Sequence, residues 1–453
     1  MTTAWHEVSM SDSSCDYSPN GLTERADLAF SEAQLETALR GYIALLEGNS
    51  GDVYAWYRAA SCLARLRERD AAKRSLSQVP LALAEQGQLL LALVALKDLQ
   101  ALDAKAARAL MDDVAALYGA GSKRVDHARK APPPIRPVRT FDELPSNLST
   151  ADPRVLKVMG GDACDKALER WEQSRGGSAT LPHSPLLSDL DPRDLGALLS
   201  LLSVQTSSPG KTVIEQGSAG TSFYIVVRGV AEVAKDGVHL AYLRSGAFFG
   251  EMALLTSSPR AASVVAHGPL TVLELSREAL GELAGSSPGV ATVLADYTRD
   301  RLLRNLLATS ELFKPLDPPR REALVDLFTS QVFPPGEIVL QEGEDPEGGL
   351  YVVLSGEVRV SKREDGDELT LAHLGPGQVF GEISLIKSRP ATATITALTK
   401  TVVLCLPRDA FNEHVGSFPE VLAHVFHLAQ EREQSNRQLK EREVLAVDDD
   451  VLI

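Results

Sequence analysis

Residues Phe249–Val264 read "FGEMALLTSSPRAASV", and Phe380–Ile395 read "FGEISLIKSRPATATI". In register, Glu251 falls on Glu382 and Pro259 on Pro390, while Arg260, the only cation of the first copy, falls on Ala391. Working outward, the surroundings repeat as well. "TVIEQGSAGTSFYIVVRGVAEV" is matched by "EIVLQEGEDPEGGLYVVLSGEVRV", which sets Gly343 on Gly217 and Gly356 on Gly229. "RSGAFFGE" is matched by "LGPGQVFGE", and the helical run "SPLLSDLDPRDLGALLSLL" by "LFKPLDPPRREALVDLF". Short β runs with glycine at the corners predict a sandwich or barrel. A unit of about 130 residues with strands throughout, present twice, predicts two tandem domains of one fold.

The first copy gathers groups suited to an anion. Gly246 and Gly250 let the backbone turn tightly and approach a ligand closely. "EMALLTSSP" reads as about two turns of helix between strands, and a helix N-terminus carries unpaired N–H groups and partial positive charge. Arg260 follows just before the next strand, with the small residues Ala261, Ala262 and Ser263 leaving room against the backbone. A guanidinium binds phosphate through two parallel hydrogen bonds, and a carboxylate accepts from a sugar hydroxyl. Such a set suits a sugar phosphate. The competing reading of Glu251 and Arg260 is an ion pair at a strand junction.

The two blocks, residues 184–305 and 306–432, resemble cyclic-nucleotide-binding domains, and "FGEMALLTSSPRAASV" resembles their phosphate-binding cassette. By that resemblance Glu251 accepts the ribose 2′-hydroxyl and Arg260 pairs with the exocyclic phosphate. The N–H groups of Gly250, Glu251, Met252, Ala253 and Ala261 complete the cradle, with Ala262 beside it. Members that favour cGMP often carry Thr after the Arg, so Ala261 leans toward cAMP, with cGMP the alternative ligand. The turn "EQGSAGTSFYIV" lacks the acidic residue often found after its first Gly in the family.

The second copy keeps Gly381 and Glu382 but not the cation. Its corresponding positions are Gly381, Glu382, Ile383, Ser384, Ala391 and Thr392. Arg389 lies two residues upstream, roughly 6.5 Å along an extended chain. Losing the charged partner of a buried phosphate costs about 3–5 kcal/mol, a few hundredfold or more in affinity. The second domain is therefore expected to keep the fold and to have lost or changed its ligand.

The chain has 453 residues, for which about three domains is the prior. With 44% hydrophobic and 24% charged residues it has the composition of a soluble globular protein. A formal net charge of -15 argues against a general nucleic-acid binder, which needs a basic face. The expected fold is α+β and multidomain: an N-terminal α-helical repeat region, then two β-roll (jelly-roll-like) domains with flanking helices. Residues 1–29 are Ser- and Asp-rich and read as disordered. Residues 30–118 are Ala/Leu-rich and helical. There "WYRAASCLARLRERDAAKRSLSQV" spaces Trp56, Ala59, Ala60, Leu63, Ala72 and Leu76 in a pattern resembling a tetratricopeptide repeat, the alternative being a generic helical hairpin bundle. Shifting by about 34 residues sets Ala72 and Leu76 on Ala38 and Tyr42 backwards, and on Ala106 and Leu110 forwards, with Leu90, Leu93 and Val94 on the first-helix positions. The concave face of such repeats binds protein.

Residues 119–183 read as a Pro-rich linker with a short helix near Asp162–Gln173, and 433–453 as an acidic-hydrophobic tail. Cys15, Cys62, Cys164 and Cys405 have no metal-ligand spacing and read as free thiols in a reducing cytoplasm. No signal peptide, membrane span or catalytic constellation is visible, and His424 and His427 lack partners for a metal cage. The expectation is a cytoplasmic, non-enzymatic sensor and adaptor with no resident cofactor, no metal and no DNA reader. Its ligand is a cyclic nucleotide, and its protein partner docks on the helical repeats. The stretch Arg301–Leu307 is expected to fold over the base as a lid. Two other readings stand: a repeat scaffold with relic sensor domains, and a regulatory subunit of cAMP-dependent protein kinase. The latter resemblance lacks the family's Arg-Arg pair, since "IRPVRTF" separates Arg136 from Arg139.

Overall fold

Both repeats begin with the same punctuation, Leu-Asp-Pro. Asp191 caps a helix by accepting from the N–H groups of Arg193 and Asp194, both at 2.9 Å, and Asp317 accepts from Arg320 N–H at 3.0 Å. Pro192 and Pro318 open the helices, where a missing N–H costs nothing. The computed structural model describes residues 19, 21–128, 144–174, 180–250, 259–309, 313, 316–344, 349–364, 367–387, 389–415, and 418–434 apart from 424, 428, 429 and 433. The expectations for residues 1–18, the Arg136–Arg139 stretch, His424 and the tail from 435 lie outside them, whereas residues 22–29, read from sequence as part of a disordered N-terminus, belong to a helix that buries Leu22, Ala26 and Ala29. The chain divides into two units, residues 1–254 with 259–294, and residues 255–258 with 295–453.

The first unit opens with helices α1 (Leu22–Ser31), α2 (Leu35–Gly48), α3 (Val53–Arg65), α4 (Arg69–Leu76), α5 (Val79–Glu85), α6 (Leu89–Leu102) and α7 (Ala104–Tyr118). Trp56, Ala59, Ala60, Leu63, Ala72 and Leu76 are all buried, and so are Ala38 and Tyr42 one period back. One period forward the register differs by a residue: Ala107 and Met111 are buried, rather than Ala106 and Leu110. The reason is the cap. Asp103 accepts from Ala106 N–H at 3.0 Å, which holds Ala106 in the first turn, so the apolar face starts one residue later.

After β1 (Val125–Asp126) come α8 (Ser146–Ser149) and α9 (Pro153–Ser174). Helix α9 is longer than the short helix expected near Asp162–Gln173, because Leu156, Gly160 and Gly161 extend its buried face. A Cβ on Gly160 would meet Leu39 at 3.2 Å and Leu63 at 3.3 Å, so this helix lies directly on α2 and α3. β2 (Leu181–Pro182) pairs in parallel with β1, and α10 (Pro192–Leu201) leads into the first repeat.

That repeat is a sandwich of two four-stranded antiparallel sheets. Its strands are β3 (Ser203–Ser207), β4 (Thr212–Ile214), β5 (Ser222–Arg228), β6 (Ala231–Lys235), β7 (Val238–Leu243), β8 (Phe248–Phe249), β9 (Ser263–Ala266) and β10 (Leu270–Ser276). The orders are β3-β10-β5-β8 and β4-β9-β6-β7. Tyr224, Val226, Phe249 and Val264 fill the space between them. Two helices follow, α11 (Arg277–Ser286) and α12 (Pro288–Thr309).

The second unit repeats this plan. After α13 (Pro318–Val325) come β11 (Thr329–Phe333), β12 (Ile338–Leu340), β13 (Gly349–Ser355), β14 (Val358–Glu364), β15 (Asp367–Leu374) and β16 (Val379–Phe380). Then follow α14 (Glu382–Lys387), β17 (Thr394–Ala397), β18 (Thr401–Pro407) and α15 (Arg408–His414). The orders β11-β18-β13-β16 and β12-β17-β14-β15 are those of the first repeat. Tyr351, Val353, Phe380 and Ile395 occupy the matching core positions. Leu303 and Leu307 are fully buried in this unit's core. The stretch expected to close over the first domain as a lid is thus committed to the second, through an i,i+4 apolar pair.

A buried charge cluster joins the helical region to the first sandwich. The Asp27 carboxylate accepts from Tyr42 and Tyr54 hydroxyls at 2.6 Å each and from Arg228 Nε at 2.8 Å, with Arg58 at 3.7 Å. Arg228 also lies 4.0 Å over the Tyr54 ring. Burial alone would raise the Asp27 pKa; the two guanidiniums and two hydroxyls outweigh it and hold the carboxyl below its ordinary value.

Candidate nucleotide site

Strand β8 ends at Phe249, whose ring stacks on Tyr224 at 5.0 Å. The chain then turns at Gly250 with φ +78°, a conformation that strains any side chain. A Cβ there would lie 2.6 Å from Arg260 Nη1 and 3.0 Å from the Ser222 carbonyl. Glycine is required because the guanidinium sits against the backbone. Arg260 Nη1 donates to the Gly250 carbonyl at 2.9 Å, and Nη2 donates to the Ser222 carbonyl at 2.6 Å. The Tyr224 ring lies 6.0 Å from this guanidinium.

The backbone of Arg260 is clamped as well. Its carbonyl accepts from Gly217 N–H and its N–H donates to the Ser218 carbonyl, both at 2.9 Å. These contacts come from the turn "EQGSAG", so the missing acidic residue leaves the main-chain grip intact. Ala261 is exposed and Ala262 half-buried beside the guanidinium's strand. Glu251, Met252 and Ala253 lie outside the described residues. The structure therefore brings Gly250 and Arg260 together and places Ala261 and Ala262 next in line.

The second copy has the same skeleton without the cation. Gly381 has φ +84°, and Tyr351 stacks on Phe380 at 5.0 Å. Ala391 accepts from Gly343 N–H and donates to the Glu344 carbonyl, both at 2.9 Å, repeating the clamp on Arg260. Ala391 is buried and exposes no group to an anion. Ile383 and Ser384 are buried in α14, and Thr392 is half-buried. Glu382 is only 2% exposed and accepts from Arg432 Nη1 at 2.7 Å; the same nitrogen donates to the Val379 carbonyl at 2.7 Å. Arg408 braces the end of α14 through the Ser384 carbonyl at 3.3 Å and the Leu385 carbonyl at 3.4 Å. Reading the sequence alone missed Arg432. It lies fifty residues from Glu382, and no local spacing marks the pair.

Cys62, Cys164 and Cys405 are buried free thiols, and burial pushes Cys62 and Cys164 up to about 12. Among the described residues no helix is long and apolar enough to cross a membrane.

Residues 204–287 and 330–417 each match the family described as the cyclic nucleotide-binding domain. With duplicated topology, core and cassette, the chain carries two cyclic nucleotide-binding domains in tandem. It is 34% identical over 247 residues to a cAMP-dependent protein kinase regulatory subunit of Yarrowia lipolytica, covering 54% of this chain and 62% of the relative. Among solved structures it is similar to the regulatory domain of Toxoplasma gondii PKA with cAMP. That match has 24% identity, a TM-score of 0.28, and covers 54% of this chain and 92% of that one. It is also similar to a regulatory subunit of a cAMP-independent protein kinase A from Trypanosoma brucei, with 25% identity, a TM-score of 0.29, and 55% and 89% covered. The chain spans less than two thirds of the Yarrowia relative's length.

Proposed function

We propose that this protein is a cyclic-nucleotide sensor whose first domain binds one nucleotide, preferentially cAMP, and whose second domain is silent. The carrying observation is the contrast at one backbone position. Arg260 and Ala391 are gripped by the same pair of main-chain hydrogen bonds, yet only the first places a guanidinium beside its cassette glycine. Phosphate oxygens would take guanidinium donors that now serve the Gly250 and Ser222 carbonyls, so binding exchanges neutral acceptors for a charged one. Glu251 serves the ribose by resemblance. Ser222 begins β5, and Arg228, at the other end of that strand, enters the Asp27 cluster of the helical region. The strand therefore joins the sensing group to the surface expected to hold a partner.

Calorimetric titration with cAMP and cGMP tests this reading. One site per chain, tighter for cAMP and lost in Arg260→Ala, is the expected result. Two sites, or binding untouched by the substitution, would overturn it.

The names of the relatives favour a more specific version, a protein-kinase regulatory subunit, over a general adaptor. Mixing the full chain with a cAMP-dependent kinase catalytic subunit separates the two. Under the kinase version they form a complex on size exclusion, catalysis is suppressed, and cAMP reverses both effects. No complex at micromolar concentrations would leave the adaptor.

A further inference from the structure

The two repeats guard the same sheet edge differently. In the second repeat, β15 ends its sheet and carries Glu368, which is exposed and accepts from Arg359 Nη2 at 3.0 Å. Leu369 and Leu371 on that strand are half-buried. A charged group on an edge strand discourages another strand from pairing with it. In the first repeat, β7 holds the matching edge. It reads Val238-His239-Leu240-Ala241-Tyr242-Leu243, with no charged residue and no proline. Val238 is 64% exposed, Leu240 56% and Tyr242 43%. Both strands carry a bulge: Leu240 and Leu371 each lack an opposite residue in the neighbouring strand. The bulge therefore does not distinguish the two edges, and the charge does.

This bare edge is held in one arrangement. The turn before it has φ +51° at Asp236 and +79° at Gly237. Gln216 grips that turn: its Nε2 donates to Asp236 Oδ1 at 2.7 Å, and its Oε1 accepts from Asp236 N–H at 2.9 Å. His239 Nδ1 lies 3.0 Å from Glu232 Oε1, and its ring is 4.4 Å from that of Tyr242. The Tyr242 ring in turn meets His267 at 5.2 Å. A pre-ordered edge loses little conformational entropy when a strand is added to it.

The ends of the strand carry opposite charges, Asp236 before it and Arg244 after it, and both are exposed. A strand whose ends are complementary matches an antiparallel copy of itself. A two-fold axis near Leu240 would set the Asp236 end of each strand beside Arg244 of the other, and Val238 beside Tyr242. Opposite charges and aromatic–β-branched pairs across strands both favour pairing. A two-fold contact also closes on itself, so it yields a dimer rather than a fibre.

We infer that β7 is a docking edge for a second copy of this chain, joining the two copies' sheets into one continuous antiparallel sheet. A single strand edge is small beside the ~1,600 Å² of standard interfaces, so the dimer is weak and concentration-dependent.

Sedimentation velocity of the full chain over roughly 1–300 µM tests this, with half-dimerisation expected at about 10–100 µM. Leu240→Lys places a guarding charge in the middle of the edge and should weaken the dimer at least tenfold. Arg244→Asp and Asp236→Lys should each be monomeric alone, because like charges then meet at both ends of the pair. Mixed in equal amounts they should dimerise again, since each end of the mixed pair regains opposite charges. Thermal unfolding reports that every variant is folded. A chain that stays monomeric throughout the range would overturn the inference and leave the edge to a foreign strand. Dimerisation untouched by Leu240→Lys would place the contact elsewhere and overturn it too, as would folded charge variants that fail to recover on mixing. None of these measurements involves a nucleotide, so their failure is distinct from failure of the sensor reading.

Discussion

Arg260 and Ala391 differ by one guanidinium, and the consequence is chemical rather than architectural. Both residues keep the same two main-chain bonds, so the strand and turn form without the side chain. Gly250→Ala should damage the first site more than its fold. The new Cβ would collide with the guanidinium and adopt a left-handed conformation, at a cost of about 1–3 kcal/mol. A modest fall in melting temperature with a loss of cAMP affinity of tenfold or more is the outcome to look for in paired calorimetry and thermal scans. In the second domain the critical residue is Arg432. Its removal leaves the buried Glu382 carboxylate unpaired, for which about 3–5 kcal/mol is typical. Denaturant unfolding of Arg432→Ala should show that loss, and Glu382→Gln in the same background should recover much of it. An Arg432→Ala protein as stable as the parent would mean that Glu382 finds water or another donor.

At the scale of elements, the repeated Leu-Asp-Pro starts show how local rules build each domain. Asp191 satisfies two orphan N–H groups at the start of α10, and Asp317 satisfies one at the start of α13. Replacing either by Ala should cost about 1 kcal/mol, readable as a small shift in denaturation midpoint with unchanged slope. A larger effect would point to a role beyond capping. The end of α12 behaves differently. Leu303 and Leu307 look from sequence like the closing helix of the first domain, but they are buried in the second. Helical periodicity tells which residues are apolar together, not which neighbour receives them.

At the scale of the whole molecule, the Asp27 cluster ties the first three helices to β5. Arg228→Ala removes the hydrogen-bonded cation from the buried Asp27 carboxylate, leaving Arg58 and the two tyrosine hydroxyls to hold it, and is expected to cost up to the about 3–5 kcal/mol typical of broken buried pairs. The Asp27 pKa is lower folded than unfolded, so its contribution is fully present above the ordinary value near 3.8 and is lost as pH falls through the lower folded value. Acid titration of stability should show an extra loss below about pH 4 that is absent in Asp27→Asn. Identical acid profiles for the two proteins would refute the assignment.

The duplicated domains, their strand patterns and the approach of Arg260 to the cassette glycine Gly250 were legible in the chain itself. They depend on short-range repeats: turn glycines, alternating apolar residues and a charged group at fixed spacing. The helical hairpins were legible for the same reason, apart from one residue of register set by the Asp103 cap. Two features came only from tertiary structure: the Arg432 partner of Glu382 and the Asp27–Arg228 tie. Each joins residues fifty or more positions apart, and their pairing is decided by which faces meet once the apolar surfaces are buried. No local spacing encodes that meeting, because many chain paths satisfy the same periodicity and only one packs its buried charges against their partners.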